Sequence, residues 1–311
     1  MPLRAHIAAL VLALFCGPAL GADIIGYGEA FNNVSGDTLY RVDLTAHTAQ
    51  ELGSAGFLNG QQPMVNLEGL TYSPGGQLYA VSDALKVLLR VNPLTGTATL
   101  VGPLNLAGQS VTQRLDLGLA FTCDGRLWLS AGNGNFWQVD PATGATAPVG
   151  NLGAKITGIA ANGNQVYGAG SQGNNNLYLI DTATAQATAI GAYGSGASYV
   201  TTASPGFDAS GQLWAILDYV PPEPGVTTVA LWSDLAQLNA TTGTLVDTGP
   251  IVGPSDLEQI GLKGLAIAPP VCTAARPGDP TPSMSAHGLT LLTLLLLLLA
   301  GTVLRRRRPT L

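Results

Sequence analysis

The sequence predicts an all-β fold: a five-bladed β-propeller, with six blades as the alternative, closed by strands from both ends of its domain. Three observations predict it. Similar hairpins recur down the chain, a second strand pair recurs between them, and the last unit is split between the two ends of the domain. Composition agrees, since 46% hydrophobic residues, 40 Gly and 20 Pro in 311 residues, with only 10% charged, suit strands and tight turns better than solvated helices.

The recurring hairpins are LYRVDLTAHTAQELG (39–53), LLRVNPLTGTATLVG (88–102), FWQVDPATGATAPVG (136–150), LYLIDTATAQATAIG (177–191) and LAQLNATTGTLVDTG (235–249). Each has alternating apolar residues, an Asp or Asn, a Thr-rich turn, a second strand and a closing Gly. From Asp43 through Asn92, Asp140 and Asp181 to Asn239 the spacings are 49, 48, 41 and 58 residues, the size of a four-stranded blade.

The second pair comprises LEGLTYSPGGQLYAVSD (67–83), LGLAFTCDGRLWLSAG (117–132), ITGIAANGNQVYGAGS (156–171) and SPGFDASGQLWAILD (204–218). Its Gly-containing turns supply the positive φ that tight hairpins need. Strands a and b of a blade come from this pair, c and d from the hairpin. LKGLAIAPP (262–270) repeats strand a alone, while IIGYGEA (24–30) and the first hairpin supply b, c and d. Joining them buries the edges an open array would expose.

Strands alternate in direction, so the short a-to-b and c-to-d turns share one face. The other face carries the variable connections 54–66, 103–115, 172–176, 192–202 and an insertion from Tyr219 to Ser233. Function is expected on that variable face. Tyr79, Trp128, Tyr167 and Trp214 hold one position in four b strands, which predicts packing between blades and not a sugar platform.

Both ends of the chain are expected to be addressing segments. Residues 1–22 have Arg4, an apolar run and a small-residue end at Ala19-Leu20-Gly21-Ala22, as in a signal peptide; Phe15 before Cys16 argues against lipidation. Residues 289–304 are an apolar transmembrane helix candidate followed by Arg305, Arg306, Arg307 and Arg308, which belong on the cytoplasmic side of the inner membrane. The propeller is then 23–271, a Pro-containing linker 272–281, and the terminal segment 282–311.

That terminal segment, PSMSAHGL before the helix and arginines, resembles the IPTL-type C-terminal sorting signal of Gram-negative bacteria, matching it at Pro282, Ser285 and Gly288. Thr281, Ala286 and His287 depart from the pattern. The resemblance implies a substrate of an exosortase-type processing enzyme, exported through signal peptidase, membrane-anchored and then placed at the cell surface or outside the cell. The repeats resemble loosely defined bacterial surface proteins built on LYxIDxxTGxxTxIG units.

Between the two addressing segments lie all 19 acidic residues against eight basic ones, a balance that repels nucleic acid. His47 is the sole histidine there and sits in a turn, read as solvated, so a Ser-His-Asp triad or a His-rich zinc site is not expected. No dinucleotide fingerprint, P-loop or EF-hand is present; calcium is the one cofactor left open. Glu68 and Lys263 each precede the strand-a Gly, and Asp83 and Asp218 end equivalent b strands, so these four are the candidate binding residues. They are read either as internal pairs and turn caps or as the carboxylate site of a glycan or lactone hydrolase or lyase. Cys123 and Cys272 both leave strand a on the short-turn face, where they form a disulfide or remain two buried thiols. The expected function is therefore non-enzymatic: a binding, adhesion or structural module with an extracellular ligand the sequence does not identify.

Overall fold

The structure, a computed structural model, describes residues 25–30, 36–110, 112–171, 173–194, 200–219, 233–253 and 261–272. The signal, linker and sorting segments read from the sequence, and most of the 219–233 insertion, lie outside the described residues.

The described residues form 22 strands. The chain begins with β1 (Ile25–Ala30), β2 (Thr38–Asp43) and β3 (Thr48–Ser54), then a two-stranded ribbon of β4 (Phe57–Leu58) and β5 (Gln62–Pro63). Blade 1 is β6 (Leu67–Tyr72), β7 (Leu78–Ser82), β8 (Val87–Val91) and β9 (Ala98–Pro103). Blade 2 is β10 (Leu117–Phe121), β11 (Leu127–Ala131), β12 (Asn135–Val139) and β13 (Thr146–Asn151). Blade 3 is β14 (Ile156–Asn162), β15 (Gln165–Gly170), β16 (Asn176–Asp181) and β17 (Gln186–Ala192). Blade 4 is β18 (Val200–Phe207), β19 (Leu213–Tyr219), β20 (Ser233–Leu238) and β21 (Leu245–Pro250), and the last strand is β22 (Leu262–Ala266).

Each blade is a four-stranded antiparallel meander, and the fifth has the order β22-β1-β2-β3. The predicted closure is thus present, with Tyr27 opposite Ala266 and Ala30 opposite Leu262. Strands β6, β10, β14, β18 and β22 neighbour one another in a ring. Five is the blade number, because the described residues gather into five apolar cores, each shared by two successive blades.

The repeated residues have identifiable work. At the repeated aromatic position of the b strands, Tyr79 meets Phe121 and Tyr167 meets Phe207 edge to face across seams, with ring centroids 5.2 and 5.1 Å apart. Tyr27 does the same with Tyr72 in the closing blade, at 6.1 Å. Trp128 instead stacks on Phe136 of its own blade, inside the core shared with blade 3. The Asp or Asn of each hairpin caps its turn, as Asp140 does by accepting from the Ala142 amide at 2.9 Å and the Thr143 hydroxyl at 2.8 Å.

The closing Gly of each d strand abuts the c-to-d turn of the next blade. A Cβ on Gly96 would stand 2.1 Å from the Gly53 carbonyl oxygen, and one on Gly243 2.3 Å from that of Gly191. The fifth such contact is made by His47, whose ring lies over Gly249 and whose carbonyl accepts from the Val252 amide at 2.8 Å. His47 is therefore half-buried at the ring's last seam and not a solvated turn residue.

Candidate functional site

Glycine sets the bore of the propeller. At one level of the inner ring stand Gly69, Gly118, Gly158 and Gly264, with Ser204 in blade 4. A Cβ on Gly69 would meet the Leu119 Cβ at 2.7 Å, so the strands converge until the channel holds a cavity of about 10 Å³, room for about one water. At the short-turn mouth, Ile267–Val271 help to line a second cavity of about 30 Å³.

Above the glycine level, towards the variable face, lies a band of buried polar groups. Glu68 is buried. Its Oε1 accepts from Lys263 Nζ at 2.8 Å and Asn66 Nδ2 at 3.1 Å, and its Oε2 from the Leu117 amide at 2.6 Å. Lys263, its side chain a third exposed, has Asp116 Oδ1 at 3.9 Å as a second partner. Burial pushes the Glu68 carboxyl up, more than the Lys263 ammonium draws it down. Burial likewise works against the Lys263 charge, but Glu68, Asp116 and Asp218 outweigh it and hold the ammonium above its usual range.

Asp83 lies one turn away and is not part of that pair. Its carboxylate takes the ammonium of buried Lys86 on one oxygen and the Leu115 amide, at 2.9 Å, on the other. Asp218 accepts from the Ser233 hydroxyl and from Thr202 Oγ1, the latter at 2.7 Å. Burial pushes Asp218 up to about 6, against those two hydrogen bonds and the attraction of Lys263.

Most of these groups share a pattern: they bind the start of the next blade's inner strand, and Asp218 reaches it only through Ser233. Asp37 accepts from the Leu67 amide at 2.7 Å, Glu68 and Asp83 from Leu117 and Leu115, and Thr157 from Ala203 at 3.2 Å. Ser204 and Ser233 accept from Gly264 and Leu262 at 3.0 and 2.7 Å. Four of the five seams therefore carry a polar latch in the described residues. Such latches satisfy amides that the strand starts would otherwise bury unpaired.

Asp37, Lys86, Asp116, Thr202 and Ser233 were not singled out in the sequence, nor was Glu29. Glu29 is 2% exposed, and among the described residues neither carboxylate oxygen has a hydrogen-bond partner. The signal was readable: it occupies the register of Val81, Ser130, Ala169 and Ile216, none of which carries a charge. Burial, then the nearby Asp37, pushes its carboxyl well above the usual range.

Cys123 and Cys272 form a disulfide. Among the described residues no three His, Cys, Asp or Glu side chains are gathered to hold a metal ion, and no helix is long and apolar enough to cross a membrane. Pro282, Ser285, Gly288 and Arg305 to Arg308 lie outside the described residues.

Lys263→Met leaves the Glu68 charge buried without its cation. Breaking a buried pair costs several kcal/mol, but water reaches Lys263, so the expected loss is about 1–2 kcal/mol by urea denaturation. Glu68→Gln in the same background should recover part of it. A double variant no more stable than Lys263→Met would show that the pair is not what Lys263 supplies.

No curated protein matches the chain. Among solved structures, a nidogen/laminin complex is 13% identical over 79% of this chain and 86% of that one, with a TM-score of 0.45. A streptogramin B lyase is 14% identical over 76% and 71%, with a TM-score of 0.41. TolB from Acinetobacter baumannii is 15% identical over 72% of this chain, which spans only 53% of TolB, with a TM-score of 0.43. The chain is a five-bladed β-propeller, and its residues 70–214 match the family described as a repeat of unknown function (DUF6923).

Proposed function

We propose that the chain is a non-enzymatic display module: an exported propeller, held by its C-terminal segment at the cell surface, whose variable face binds an extracellular ligand. One observation carries this reading. The carboxylates best placed for catalysis, Glu68, Asp83 and Asp218, are each engaged by neighbouring donors, and the channel beneath them has room for about one water. A glycosidase or lactonase needs carboxyl groups facing a substrate-sized cleft.

Export would pass through signal peptidase, and sorting through an exosortase-type enzyme acting at Pro282 to Gly288. The acidic balance of the domain disfavours nucleic acid, and calcium remains the one candidate ion. The competing reading, a carboxylate hydrolase or lyase, is favoured by Asp218, whose pKa near 6 is in the range of a general acid.

The test offers the purified chain a panel of extracellular polysaccharides and lactones and follows binding and product release in the same samples, with and without calcium. Binding without turnover supports display. Turnover abolished by Glu68→Gln or Asp218→Asn would replace it with the hydrolase. Deleting residues 282–311 should move the protein from the cells to the medium, and retention on the cells would remove the anchoring part of the proposal.

A further inference from the structure

After β22 the chain does not leave the ring at the closing blade. Ile267–Val271 run across the short-turn mouth, against Leu70, Phe121, Ile159 and Pro205 from four different blades. Cys272 then bonds to Cys123, in the a-to-b turn of blade 2. Blade 2 is not a neighbour of the closing blade, because β6 stands between β22 and β10 in the inner ring. The Cys123 turn is itself tied onward to blade 3: the Cys123 amide donates to the Gly163 carbonyl at 3.0 Å, and the Asp124 amide to Asn164 Oδ1 at 3.0 Å.

We infer that this strap and disulfide form the load-bearing joint of the domain. Tension arriving along the chain beyond Cys272 enters the ring at blades 2 and 3 and bypasses β22. The alternative path is weak for a geometric reason. Ala266, the last residue of β22, pairs with Tyr27 near the start of β1, so a pull on the tail against the N-terminus would unzip the closing strands from that end. Hydrogen bonds loaded one pair at a time yield sequentially, whereas the covalent joint distributes the load over two complete blades. The biological sense of the joint rests on the anchored-tail reading above, but its mechanics do not, so the two fail separately.

The experiment is single-molecule stretching of the full chain, held by its two termini, first oxidised and then with reductant added to the same molecule. Reduction should introduce an early low-force step of roughly 40 Å, the extended length of Leu262–Cys272 at about 3.3–3.6 Å per residue, which the oxidised chain lacks. The Cys123→Ser/Cys272→Ser variant should show that step without reductant; should it fail to fold, reduction in place still decides. An oxidised chain that opens with the same first step at the same force overturns the inference. So does a reduced chain that shows no such step.

Discussion

Gly158→Ala is expected to destabilise the propeller by about 3 kcal/mol, the upper end of what overpacking usually costs. The new Cβ would stand 2.2 Å from the Ala203 carbonyl oxygen and 2.6 Å from Pro205 Cδ, both on β18 of the next blade. Neither obstacle is the end of a flexible side chain, so relief requires one inner strand to move away from the other. That movement would stretch the Ala203 amide to Thr157 Oγ1 contact, 3.2 Å long, which latches the same seam. The control is Gly75→Ala, in an exposed turn where the nearest atom to a new Cβ is Ser73 Oγ at 3.8 Å, expected to be nearly neutral. Equilibrium denaturation of both variants decides: equal midpoints would mean that the glycine level does not set the ring's diameter.

The same position shows why the fold was legible in the sequence. Turn chemistry and period-two alternation are local properties, and each blade repeats them, so five weak signals reinforce one another. The split fifth unit added a constraint on topology, because LKGLA and IIGYGEA each lack what the other supplies. The glycine before Leu70, Leu119, Ile159 and Leu265 was also visible, but its purpose was not, since the obstacle to a side chain there belongs to the next blade.

The candidate site was legible only in part, for the same reason. Glu68 and Lys263 share a register in strands a of adjacent blades, which is what brings them within 2.8 Å. Asp83 has the register of Asp218, yet it is satisfied by Lys86, three residues on in a turn where φ is +52°, and by a blade-2 amide. Nothing in the repeat announces those partners. The β4–β5 ribbon did leave a trace, since Asn59-Gly60 is the dipeptide of a tight hairpin, but its strands are only two residues long and carry no periodicity. The crossing of Ile267–Val271 over the channel mouth is encoded by no pattern, only by the length of chain needed to reach Cys123.

Glu29→Met is expected to stabilise the protein by about 2 kcal/mol at neutral pH, within the range a buried polar group without hydrogen bonds costs in proteins. The site is prepared for an apolar side chain. Glu29 follows Tyr27 by two residues on β1, and Tyr27, Leu39, Met64 and Leu67 belong to the core between the closing blade and blade 1. The pH dependence gives the sharper test. A carboxyl whose folded pKa is raised above its ordinary value of 4.5 binds its proton more tightly in the folded chain, so its contribution is fully present below 4.5 and is lost as pH rises through the folded value. Asp218 acts in the same direction between its ordinary 3.8 and about 6. The wild-type chain should therefore lose stability as pH rises from about 4 through 6, and Glu29 should extend the loss to higher pH. Glu29→Gln keeps the shape of the protonated carboxyl, so it should match wild type at low pH and exceed it increasingly above the ordinary carboxylate range. Glu29→Met should show the same shallower slope from a higher starting point. Urea midpoints measured from pH 4 to pH 9 read both effects; parallel curves for the three proteins would mean that Glu29 finds a partner or reaches water, and the buried, unpaired carboxyl would have to be abandoned.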